Sequence, residues 1–174
     1  CRHGFAFFGG SDPENLTRVF LDMVANGSTV REWLLLLGPA NPFADEALNR
    51  VKSESLPLRC ERYVPSMAET LLDADLAILA AGNTVSEAAA VGTPVIALSH
   101  HGIQKENAEF YAASGGVVDL GLRSPELAEQ LASTVTEIAS SQQRRTEMSK
   151  ALLAVVDGQG GRRVAGILSK ALGE

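Results

Sequence analysis

Gly82-Asn83-Thr84-Val85-Ser86-Glu87 is the stretch of this chain whose residue types and spacing carry the most chemistry. It follows an apolar run, Leu76 to Ala80, and precedes a helical pattern from about Thr84 to Val91 that Gly92 breaks. Gly82 and Asn83 tolerate backbone angles that other residues avoid. Thr84 and the free amides after it can receive a diphosphate, because a helix start offers unpaired N–H groups and the positive end of the helix dipole. Glu87, one helical turn on, can accept hydrogen bonds from the two hydroxyls of a ribose. The same spacing also fits an ordinary capping box between Thr84 and Glu87, and local pattern leaves both readings open.

A second glycine turn, Gly9-Gly10-Ser11, follows the apolar run Gly4 to Phe8. It offers close backbone approach plus a hydroxyl, suited to a phosphate or a sugar attached to one; a tight turn capped by Ser11 is the plainer alternative. Asp12 would repel a phosphate and is read as a helix-start residue. His100 and His101 stand on an extended segment where neighbours point differently, and His101 is taken as the one to touch a phosphate or sugar hydroxyl. An exposed loop histidine is the competing reading. Gln104 and Asn107 lie three apart on one helical face, and their amides both donate and accept, which suits sugar hydroxyls. Tyr63-Val64-Pro65 offers a flat apolar wall to a base, or else simply a core tyrosine.

Several chemistries are absent from the pattern. There is no GxSxG elbow, no GxxxxGK[ST] loop, and the first glycine turn lacks the GxGxxG of a dinucleotide domain. No Cys or carboxylate stands at ligand spacing beside the histidines, so no metal site is expected. The 174 residues carry 21 acidic against 15 basic side chains, a formal charge of -6, with no basic block to hold a nucleic acid. Apolar runs are strand-sized, short of the roughly 20 residues of a membrane helix. The two cysteines, Cys1 and Cys60, make no disulfide framework, and a reducing, cytoplasmic setting is expected.

The elements that must position these residues alternate. Strands are expected at Gly4–Phe8, Leu34–Leu37, Leu58–Tyr63, Leu76–Ala80, Val95–Leu98 and Val117–Leu120. Helices are expected from Ser11 to Ala25, with Pro13 in the first turn, and over Phe43–Lys52, Pro65–Leu72, Thr84–Val91, Gln104–Ser114, Pro125–Ser140, Gln142–Val156 and Arg162–Leu172. Such alternation predicts an α/β, Rossmann-like, mostly parallel sheet of about six strands with helices on both faces. Ligands of such sheets bind beyond the carboxyl ends of the strands, where the loops Gly9–Asp12, Tyr63–Ser66 and Ala81–Glu87 should converge.

Taken in order, Phe8-Gly9-Gly10-Ser11-Asp12-Pro13, Ala80 to Glu87, Gly92-Thr93-Pro94, Gln104 with Asn107-Ala108, and Asp157-Gly158-Gln159-Gly160 with Arg163-Val164 resemble a known group. The chain is similar to the C-terminal, donor-binding half of GT-B glycosyltransferases. Within that group it is similar to the peptidoglycan N-acetylglucosaminyltransferase, the UDP-sugar hydrolase of pseudaminic acid synthesis and spore-coat polysaccharide proteins. The resemblance implies a UDP-sugar donor and no required cofactor. Gly82, Asn83, Thr84, Val85 and Ser86 would meet the diphosphate, with Gly10 and Ser11 beside it. Glu87 would hold the ribose, Tyr63, Val64 and Pro65 would flank the uracil, and Gln104 and Asn107 would face the sugar or its phosphates. The histidine pair departs from the peptidoglycan enzyme's pattern and leaves the sugar open.

The abrupt start at Cys1 suggests a fragment, with residues 1–174 one nucleotide-sugar-binding domain. Its partner would be an N-terminal acceptor domain supplying the general base and any peripheral membrane contact. Transfer into cell-surface polysaccharide is the leading expectation; hydrolysis of a nucleotide sugar and a non-catalytic regulatory or assembly role are the alternatives.

Overall fold

The computed structural model describes residues 1–172. Six strands, β1 (His3–Phe7), β2 (Glu32–Leu36), β3 (Leu58–Glu61), β4 (Leu76–Ala80), β5 (Val95–Ser99) and β6 (Val117–Leu122), form one parallel sheet in the order β3-β2-β1-β4-β5-β6. The helices are α1 (Leu16–Ala25), α2 (Ala44–Ser53), α3 (Met67–Leu72), α4 (Asn83–Val91), α5 (Gly102–Ala112), α6 (Leu127–Ser140), α7 (Gln142–Val155) and α8 (Gly160–Leu172).

The order follows from burial. β4 and β5 are buried at every position and each is paired on both sides, which is why both read as unbroken apolar runs. On one face Phe8, Trp33, Leu35, Ile78 and Leu98 pack under α1, α2 and α6, with Phe20 edge-on to Trp33 at a ring separation of 5.2 Å. On the other, Phe5, Leu36, Leu79 and Ala97 pack under α3, α4, α5 and Leu152 of α7. The small residues Ala88 and Ala89 let α4 lie close to the sheet. At the amino ends of the central strands Asp75 accepts from the N–H groups of Arg2 at 2.6 Å and His3 at 3.0 Å, joining β1 to β4. Burial alone would raise that carboxyl, but these donors hold it below the usual range.

The structure corrects several expected bounds. α1 begins at Leu16, five residues after Ser11, and Pro13 lies before it. Asp12 (φ 44°) and Asn15 (φ 50°) are left-handed, so a helix cannot run through them. Asp12 nonetheless caps the helix, its carboxylate accepting from Leu16 N at 2.7 Å and Thr17 N at 2.9 Å, while the N-cap residue Asn15 accepts from Arg18 N at 3.2 Å. β2 starts two residues early because its edge pairs with β1 from His3 and Glu32 onward. β3 stops at Glu61, which puts Tyr63 in a loop rather than a strand. α5 starts two residues early, at Gly102, and makes His101 its N-cap residue.

Candidate functional site at the carboxyl ends of β1 and β4

β1 and β4 are neighbours in register, Phe7 beside Leu79. The chain leaves them in opposite senses, into α1 on one face and α4 on the other. A crevice therefore opens where the strand order reverses. The Gly9–Ser11 loop forms one lip. Gly9 needs its positive φ of 83° to turn out of β1. Behind the loop, a Cβ on Gly38 would fall 2.2 Å from Gly9 O and 2.4 Å from Gly10 O, and Ala40 N donates to Gly10 O at 2.9 Å. A Cβ on Gly9 or Gly10 would meet nothing within 4 Å, so the front of the loop is open.

The start of α4 forms the other lip. Gly82 is the N-cap residue, in extended backbone, and no side chain caps this helix, so the alternative of a Thr84–Glu87 capping box does not form. Among the described residues the N–H groups of Asn83 and Thr84 meet no protein acceptor, whereas Val85 N bonds to Gly82 O at 3.2 Å. α5 braces this turn: Asn107 Nδ2 donates to Ala81 O at 2.9 Å and Gly82 O at 3.4 Å. Gln104 Oε1 accepts from His100 N at 2.8 Å. Its Nε2 is thereby turned toward Gly82, 3.9 Å from where a Cβ on that residue would lie.

The other expected residues divide. Glu87 is exposed one turn into α4 and Ser11 is exposed on the first loop, both free to meet a ligand. Ser86 is less free, because its Oγ accepts from Tyr111 Oη at 2.8 Å, and Val85 is core. Val64 packs against the cluster that contains Ala81 and Val85, while Tyr63 is 74% exposed. His101 is exposed and caps nothing with its side chain. His100 is the inward ring: its side chain is 4% exposed, and Nε2 lies 3.0 Å from Phe8 O. Period two along β5 was the available signal, since Leu98 and His100 share the face that carries α1.

A groove of about 720 Å³ lies elsewhere, between α3 and the face of β1–β3 that carries Phe5 and Leu34. Its polar rim includes His3, Glu32 and Asp73, and it reaches the amino ends of the strands, the wrong end for a ligand in this topology. The carboxyl-edge crevice is the better candidate because it gathers the unpaired donors. Among the described residues no three His, Cys, Asp or Glu side chains form a group able to hold a metal ion, and no helix is long and apolar enough to cross a membrane.

A parallel sheet of order 3-2-1-4-5-6 with helices on both faces is Rossmann-like, the fold of the C-terminal half of GT-B proteins. The chain belongs to the glycosyltransferase family 28 C-terminal domain family, which it matches over residues 5–159. It is 30% identical over 170 residues to the spore coat polysaccharide biosynthesis protein SpsG of Bacillus subtilis, covering 97% of this chain and 50% of SpsG. To protein MJ1062 of Methanocaldococcus jannaschii it is 35% identical over 106 residues, 60% of this chain and 22% of that one. The chain thus spans half or less of the length of these relatives. Among solved structures, Acinetobacter baumannii MurG superposes with a TM-score of 0.78 at 19% identity, over 97% of this chain and 49% of MurG. The calicheamicin glycosyltransferase CalG4 superposes at 0.72 and 18% identity, over 100% of this chain and 43% of CalG4.

Proposed function

We propose that this domain holds the nucleotide diphosphate of a UDP-sugar, as the donor-binding half of a cytoplasmic glycosyltransferase of cell-surface polysaccharide synthesis. The observation that carries the reading is the uncapped start of α4: two main-chain donors, Asn83 N and Thr84 N, stand unpaired at the crevice with Gln104 Nε2 turned toward them. Family membership supports it, as does the name of SpsG, a spore coat polysaccharide protein.

In this reading the acceptor oxygen bonds to the anomeric carbon as the bond from that carbon to the phosphate oxygen breaks. The acceptor's proton passes to a base on the other half of the protein. Negative charge grows on the leaving diphosphate, and preorganised amides stabilise it without reorganising. The open, one-sided crevice fits a site completed by a second domain.

Calorimetric titration of this chain with UDP and UDP-sugars tests the proposal. Saturable binding that Gly82→Trp abolishes is expected; no heat at millimolar UDP would overturn it. Release of UDP by the longer protein without any acceptor would assign hydrolysis instead of transfer.

A further inference from the structure

We propose that His100 is a positioning residue of the crevice: its ring fixes the Gly9–Ser11 loop relative to the start of α4, and so tunes affinity for a diphosphate. The inference rests on the donor-site reading above and adds to it a residue that touches no ligand itself.

β5 is not a neighbour of β1, since β4 lies between them. The bond from His100 Nε2 to Phe8 O therefore reaches across the end of β4, where α4 departs. Phe8 directly precedes Gly9, the residue at which the loop turns. The loop is also held by Ala40 N on Gly10 O, by Asp12 on the first N–H groups of α1, and by Arg123 on Glu14 O at 2.6 Å. Of these ties only the one from His100 comes from the segment that enters α5. Asp12 Oδ1 lies 3.9 Å from Nε2, beyond hydrogen-bond length, so Phe8 O is the ring's partner.

The same residue sets the opposite lip. Its N–H takes Gln104 Oε1, which turns Gln104 Nε2 toward Gly82. Ring and main chain of one residue thus align both walls. The arrangement leaves one polar atom of the ring unsatisfied. Donation from Nε2 to a carbonyl leaves Nδ1 as an acceptor, and Nδ1 is buried without a partner among the described residues. An orphaned buried acceptor costs stability. A local rule broken in this way belongs at a functional site.

Two variants isolate the ring and leave the main-chain bond to Gln104 in place. His100→Leu keeps bulk and loses the donor; His100→Gln keeps an N–H near the position of Nε2. The readouts are UDP affinity by calorimetry, thermal midpoint, and amide hydrogen exchange at Gly10 and Ser11. His100→Leu is expected to weaken UDP about five- to tenfold, the scale of one lost hydrogen bond. Exchange at Gly10 and Ser11 should quicken beyond what any fall in the midpoint accounts for, and His100→Gln should recover most of the affinity. Unchanged exchange and affinity in His100→Leu, or losses that merely track the midpoint in both variants, would overturn the proposal. Exchange needs no ligand, so a parent protein that ignores UDP sinks the donor-site reading separately, and the clamp is then decided by exchange alone.

Discussion

Asn107 Nδ2 lies 2.9 Å from the main-chain oxygen of Ala81, so the second turn of α5 holds the residue from which α4 is launched. A second contact, 3.4 Å to Gly82 O, makes the amide straddle the turn. Asn107→Ala should therefore destabilise the fold by about 1 kcal/mol, one buried hydrogen bond. Asn107→Asp should cost more, about 2–3 kcal/mol, because a carboxylate would face two carbonyl oxygens it cannot bond. Urea unfolding of both variants decides it. Equal stability of the aspartate variant and the parent would mean that the side chain does not donate here.

The first lip is set by Gly38 behind it as well as by the turn at Gly9. A Cβ at Gly38 would press on the carbonyl oxygens of Gly9 and Gly10, which are main-chain atoms and cannot swing aside. Gly38→Ala is expected to cost about 1–3 kcal/mol, in the range of overpacked sites. Gly10→Ala, with open space before it, should leave stability within about 0.5 kcal/mol of the parent. On the proposed function the same Gly10→Ala reduces UDP affinity by crowding the lip. Paired denaturation and titration data on the two variants separate these effects.

The centre of the fold was plain in the sequence for a physical reason. Leu76–Ala80 and Val95–Leu98 are buried on both faces, and a strand of that kind must be continuously apolar. Gly92 ends α4 in a left-handed cap with φ 77°, as a lone glycine after a helical run predicts. The start of α1 was not legible, because Asp12 caps from four residues upstream across left-handed Asp12 and Asn15, a route no short motif encodes. The role of His100 was hidden for a different reason: it depends on β5 coming within reach of β1, a fact of strand order that local pattern does not contain. Tyr63 is exposed because β3 ends two residues earlier than its apolar pattern suggested.

Glu87 stands exposed one turn into α4, with no hydrogen-bond partner among the described residues. On the proposed function its carboxylate takes both ribose hydroxyls. Glu87→Ala should then weaken UDP by about 1.5–3 kcal/mol, the range for hydrogen bonds to a charged group. The parent should also bind UDP more tightly than its 2′-deoxy analogue, and the alanine variant should lose that preference. Equal affinity of the parent for both nucleotides would remove the assigned role and leave Glu87 a solvated helix residue.

Asp157 and Arg163 close the turn into α8 with two bonds, 2.6 and 3.0 Å, while Gln159 N donates to the same carboxylate at 2.9 Å. The Arg163 side chain, with the Gln159 N–H behind it, lowers the carboxyl from 3.8 to about 2. The folded state then binds the proton less readily than the unfolded chain does. The stabilisation is complete above the ordinary carboxylate range and is lost as pH falls through about 2. Both groups are exposed, so the effect on global unfolding should be slight, and salt should weaken it further. Carboxyl NMR titration is the direct measurement: Arg163→Met should return Asp157 toward 3.8 without moving Asp75, whose donors are the N–H groups of Arg2 and His3. An Asp157 titration unchanged by that substitution would mean that the fork does not persist in solution.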